Sequence, residues 1–596
     1  EANSLLTAKL RYAYMDAVSN LVKEDFSCQL GEWCRERGVE YIGHLIEDNN
    51  HHSRMGSSLG HYFRGLAGQD MAGIDDIGGQ VFPQGEEVSY DRGVFQRRDG
   101  TFFHYMLGKL ASSAAAIEPL KQGRSMCEIF GNYGWQEGVR LEKYLADHFL
   151  VRGVNRYVPH AFTPKEFPDS DCPPHLYAHG HNPQYRHFGC LMAYMNRVCE
   201  LISGGRHAAP VALVYHGEGE WTGDHITDDA VGHVLYDCQI DYDIIPQDVF
   251  ACREEYDVRL ESGLLRVNTQ EYRAVLIPRM QFVTKALAEA VAQLAGQGVP
   301  VFFVGGAPEG ICDTDMENPA DGALLEAALE GGQTLALEDV PDALRQRGIP
   351  EVEIAPGDCR IRILRYLHQD GGQILYLVNE GTEMYRGQVR LTQMPLPGTV
   401  YRYDAWDNQV LPAVLCRGGI SVEIEPLKSM IIVLEDREQT LDPVPSVFDK
   451  TALEELPFAG PWRRSLCRSI DYPAFGPDRE VSLPDRLEQE EPLFSGFARY
   501  ENVFEAKAED RLMAEISDAF EGVEAFLNGR SLGIQIVPTY RFDLSGCLQD
   551  GQNELRIEVA TTLERQMSAI PSRFGQGKEA SCKSGISGTV RLYRYD

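Results

Sequence analysis

SMCEIFGNYGW, residues 125–135, is an apolar run broken by one acid, Glu128. Asn132, Tyr133 and Trp135 follow within seven positions of it. A short apolar run of this length reads as a buried strand. In a parallel α/β arrangement functional groups gather where the strands run out. A solvated surface does not need a tryptophan and a tyrosine beside a lone acid; a site that grips a sugar does.

Working outward, the first 205 residues alternate helix and strand. AYMDAVSNLVKEDFSCQLGEWCRERG (13–38) is helical, and VEYIGHLI (39–46) is a short buried strand before the polar loop EDNNHHSR. A helical stretch near Leu59–Leu66 leads into DMAGIDDIGG (70–79), a strand and loop. TFFHYMLGKLASSAAAIEPL (101–120) is helical and precedes the quoted strand. The helix QEGVRLEKYLADHFLVRG (136–153), the strand VNRYVPHAF (154–162) and a closing helix at 185–205 follow. Four strand–helix units make half of a (β/α)8-type barrel, which typically needs about 250 residues. The expectation is therefore a barrel whose other half precedes residue 1, or an unusual one.

Each strand ends in functional residue types: His44 and Glu47, Asp75 and Asp76, Glu128 and Asn132, then His160. Beyond the barrel region, 1–205, the chain changes character. Residues 206–310 carry the buried strands APVALVYH, YRAVLIP and VPVFFVGG around a helix, a flavodoxin-like α/β unit. Residues 311–440 read as a small β-domain, 441–490 as a linker, and 491–596 as a β-sandwich with an Asn528-Gly529 hairpin signal.

The formal net charge of −33 argues against nucleic acid as a partner. No apolar run reaches the roughly 18–20 residues of a membrane helix, and the first residues lack a signal-peptide pattern. Fourteen scattered cysteines without a CxxC pair read as reduced thiols, so a cytoplasmic location is expected. The sequence leaves a homo-oligomer open.

Two carboxyl groups facing one glycosidic bond suffice for its hydrolysis. Glu128 and Glu47 are the best pair, on strand ends separated by one intervening strand; the plain alternative for Glu47 is a solvated loop acid. Asp75 and Asp76 suit sugar hydroxyls or a hard cation, of which calcium fits carboxylate and amide oxygens. Residues 128, 132 and 135 would share one face if a helix began there. Trp135 then stacks on a sugar or caps the core. His179 and His181, in HLYAHGH, suit hydroxyls better than zinc, because no paired cysteine or HExxH completes a metal site. Glu220 and Trp221 follow the first flavodoxin-like strand and read as a rim of the same site. That loop lacks a Ser/Thr-rich phosphate cradle, so no organic cofactor is expected.

These residues carry a resemblance. VEAFLNGRSLG, YRFDLSGCLQDGQNELRIEVATTL (523–563) resembles the galactose-binding-like sandwich of glycoside hydrolases. The barrel followed by a flavodoxin-like unit resembles clan A enzymes such as family 42 β-galactosidases. EYIGHLIED, SMCEIFG and GVNRYVPHAF look most like family 106 α-L-rhamnosidases. The resemblance implies a glycosidase acting on a terminal sugar, an α-L-rhamnoside first and a β-galactoside second. It matches Glu128 to the catalytic acid of the late barrel strand, points to Glu47 as the second, and brings calcium with family 106. A non-catalytic carbohydrate-binding protein is the rival class.

Overall fold

The computed structural model describes residues 4–44, 50–54, 59–91, 97–314, 319–436, 453–570 and 580–595. In the first region three strands, Ala72–Ile77, Ser125–Gly131 and Arg156–Pro159, pair in parallel with Ser125–Gly131 in the centre. Helices Gly108–Ile117, Val139–Leu150 and Tyr185–Leu201 alternate with them, as the sequence pattern requires. The strand expected at 39–46 differs. Residues 41–44 pair with no strand, and 45–49 lie outside the described residues. The segment is nevertheless clamped beside the sheet. Tyr41 N donates to Asp70 Oδ2 at 2.8 Å, and Asp70 N donates to the Tyr41 carbonyl at 2.8 Å.

The region read as a flavodoxin-like unit holds one parallel sheet. Five parallel strands form one sheet in the order Gln333–Leu335, Val301–Val304, Ala274–Pro278, Val211–Val214, Tyr242–Ile245. Numbered along the chain this is 2-1-3-4-5 read from the other edge, the flavodoxin order. Its last strand lies past residue 310, where the β-domain was expected to begin. Every residue of the three central strands is buried, so period-2 alternation is absent and the runs read as continuously apolar. One apolar core runs from the first region through this sheet.

The small β-domain carries antiparallel sheets of four and six strands, the edge strand of the larger being Arg206–His207 from earlier in the chain. Residues 453–490 are not a linker. Trp462–Cys467 pairs with Phe497–Ala506 inside the C-terminal sandwich, and Leu453–Leu456 pairs with Val590–Tyr595. Polar alternation on solvent-facing strands resembles a loop composition, which is why the pattern misled. The Asn528-Gly529 turn is as expected: both φ are positive, at 50° and 82°, between paired Leu527 and Arg530.

The sandwich docks on the turn that follows Glu128. Arg140 donates to Asp518 at 2.8 Å and to the Ala519 carbonyl at 2.6 Å, and a Cβ at Gly138 would collide with the Glu521 carboxylate. No described helix is long and apolar enough to cross a membrane, and all fourteen cysteines are free thiols.

Candidate functional site

Glu128 is the one half-exposed side chain in an otherwise buried strand. Parallel register sets Asp75 directly opposite it, and Val158 on the other side. A Cβ at Gly73 would collide with the Gly43 carbonyl, so glycine there lets the 41–44 segment lie against the sheet. That close approach delivers His44, whose Nε2 sits 3.2 Å from Glu128 Oε2. One ligand-type atom each from His44, Asp75 and Glu128 lies within 4.8 Å of the others.

The electrostatics follow from this contact. The His44 hydrogen bond holds the Glu128 carboxyl below its ordinary value; burial opposes this, and the charges of His44 and His160 add to the lowering. Glu128 is therefore an ionised, half-exposed carboxylate at neutral pH, suited to act as nucleophile or base. His160 follows the third strand, and its backbone N–H donates to the Ile129 carbonyl at 2.8 Å.

Several expected site residues serve other ends. Asp76 is fully buried, and Tyr133, 7% exposed, donates its hydroxyl to Asp76 Oδ1 at 2.8 Å. Successive strand residues face opposite sides, so Asp75 and Asp76 cannot both face the Glu128 side. Asn132 is exposed, with φ of 55°, in the turn after the strand. No helix starts before Val139, so the shared helical face expected for 128, 132 and 135 does not form.

Trp135 packs edge-on to Phe167 and His175, with ring centroids 6.2 and 5.6 Å away, in a cluster that includes Leu563 and Met567 of the sandwich. His181 stacks flat on Phe167 at 4.1 Å, and its burial lowers its pKa. His179 is exposed. Glu220 and Trp221 bind the chain beyond the undescribed 45–49. Glu220 accepts from Ser53 Oγ and, at 2.7 Å, from Arg54 Nε, while buried Trp221 donates to the Ser53 carbonyl at 2.8 Å. Glu47 lies outside the described residues.

Sequence reading put Asp75 among sugar-binding groups and missed it as the immediate neighbour of Glu128. The signal was available: both are the fourth residue of consecutive strands.

With this geometry established, the chain can be set beside known proteins. No protein-family model matches it, and no curated protein matches it in sequence. Its fold class is the mixed α/β-plus-β multidomain architecture found among glycosidases. A rhamnosidase from Novosphingobium sp. PP1Y superposes with a TM-score of 0.74 at 17% identity, over 99% of this chain and 56% of that one. The chain thus spans just over half the length of the rhamnosidase whose fold it shares. A GH42 β-galactosidase from G. stearothermophilus aligns over 72% of this chain and 68% of its own at 10% identity, with a TM-score of 0.46.

Proposed function

We propose that the chain is a glycoside hydrolase that removes a terminal sugar, with an α-L-rhamnoside as first substrate class and a β-galactoside as second. The observation that carries this reading is Glu128: an ionised, half-exposed carboxylate in the middle of an otherwise buried parallel strand, held by His44 and flanked by Asp75. The fold likeness to a rhamnosidase over nearly the whole chain supports it. In this reading the three-stranded sheet is one arc of a (β/α) barrel.

Glu128 acts as nucleophile or as the base that activates water, and a second, protonated carboxyl donates to the leaving oxygen. Asp75 is 2% exposed, too buried to meet that oxygen; it orients the cluster. We assign that role to Glu47, the second acid to which the resemblance to family 106 points; it lies outside the described residues. Calcium takes six to eight oxygen ligands. His44 offers nitrogen, and the described cluster holds only two carboxylates, so this set does not by itself fit calcium.

A panel of nitrophenyl glycosides, with and without a chelator, tests the proposal. The expected result is hydrolysis of the α-L-rhamnoside, reduced about 10²–10⁴-fold in Glu128→Gln. Hydrolysis equal in wild type and variant removes Glu128 from the mechanism. Sugar binding without hydrolysis of any glycoside makes the chain a binding protein.

A further inference from the structure

A cavity of about 290 Å³ opens where the first region, the small β-domain and the C-terminal sandwich meet. Lys143 and Tyr194 line it from two helices, Trp406 and Lys428 from the β-domain, and Arg541 from the sandwich. Its walls are tied together across the three units. Trp406 Nε1 donates to the Ile534 carbonyl at 2.8 Å, and Lys428 Nζ donates to the Thr539 carbonyl at 3.0 Å. Arg541 donates to Glu425 at 2.7 Å, and Arg197 holds the Ala405 carbonyl at 2.8 Å. A cavity held at this many points is preformed.

Its chemistry narrows what it takes. Lys428 and Arg541 share Glu425, Arg541 also donates to Glu515 at 2.9 Å, and Lys143 is held by Asp147 at 2.5 Å. These cations are already neutralised, so a polyanion gains little, while the density of charged groups disfavours a purely apolar guest. Tyr194 and Trp406 make an aromatic corner, with ring centroids 5.9 Å apart and planes at 42°; Lys143 Nζ covers the buried Tyr194 ring at 4.2 Å, which leaves half-buried Trp406 as the ring that can meet a guest. An apolar ring face bordered by fixed, charge-balanced hydrogen-bonding groups matches a molecule with C–H faces and hydroxyl edges. The volume lies at the lower end of the roughly 300–1,000 Å³ of small-molecule sites, enough for a mono- or disaccharide and not for a polymer.

We propose that this cleft is a second saccharide site, binding a neutral mono- or disaccharide and sharing no residue with the Glu128 cluster. It does not depend on the hydrolase reading. Calorimetric titration of the full 596-residue chain with methyl α-L-rhamnoside, methyl β-D-galactoside and maltose tests it. At least one is expected to bind wild type and Glu128→Gln alike, with affinity at least tenfold lower in Trp406→Phe or in Asp407→Ala at unchanged melting temperature. Trp406→Phe also removes the tie to Ile534. Asp407→Ala removes an exposed carboxylate from the same lining without breaking a described side-chain contact. The proposal is overturned by no binding of the three sugars to wild type, by binding lost in Glu128→Gln, by binding unaltered in both cleft variants, or by binding that weakens only together with the melting temperature.

Discussion

Replacing Asp76 with asparagine isolates the energetic consequence of burying a carboxyl behind the sheet. Burial drives the Asp76 pKa from 3.8 up to about 7, against the opposing effects of the Tyr133 hydrogen bond and the Arg98 charge. A tenfold change in a protonation ratio is worth about 1.4 kcal/mol, so above pH 7 the native state holds this carboxylate at a cost on the order of 4 kcal/mol. The sign follows from linkage. The folded pKa is raised, so the native state binds the proton more tightly than the unfolded chain. The stability this contributes is fully present below pH 3.8 and is lost as pH rises through about 7. The amide introduced by Asp76→Asn keeps the shape and the Tyr133 partner and does not titrate. The assay is urea unfolding of both proteins from pH 5 to pH 8. The stability of Asp76→Asn relative to wild type is expected to rise by about 2–4 kcal/mol across that range, with the proposed glycoside hydrolysis retained because the side chain is buried. A stability difference constant with pH refutes the buried-carboxyl argument. Loss of turnover in a stably folded variant returns Asp76 to the site.

His44→Ala removes the hydrogen bond that lowers the Glu128 pKa, so the acidic limb of the pH–rate profile is expected to move up toward the ordinary carboxylate range; an unmoved limb contradicts the contact. Trp135→Ala is expected to cost about 2–4 kcal/mol in thermal unfolding, because its ring bridges Phe167 and the sandwich residues Leu563 and Met567, with turnover at low temperature unchanged. A variant that melts normally but binds substrate poorly makes Trp135 a sugar platform instead. Gly529→Ala places a Cβ in open space at φ of 82°, so only backbone strain is felt, and a loss of about 1 kcal/mol is expected; no loss would mean the turn is not left-handed there.

The strand–helix alternation of the first region, the flavodoxin-like unit and the sandwich hairpin were legible because each rests on local rules: apolar runs, helical periodicity and Asn-Gly turn chemistry. Glu128 was legible too, since a single acid inside a buried run stands out without any partner in view. Pairing was not. Sequence places acids at strand ends, but only register sets Asp75 opposite Glu128, and only the close approach of Gly43 to Gly73 brings His44 from 84 residues away into contact. Facing was not legible either: Asp75 and Asp76 are adjacent letters and both buried, yet Asp75 lies beside Glu128 while Asp76 is sealed against Tyr133. Trp135 looked like a sugar platform or a core cap and Trp221 like a rim of the same site, because aromatic residues beside acids suit both a binding site and a core seam. Which of the two a ring serves depends on what another part of the chain lays against it, here Ser53 on one and the sandwich residues Leu563 and Met567 on the other. Those contacts join residues far apart in sequence, and no local pattern encodes them.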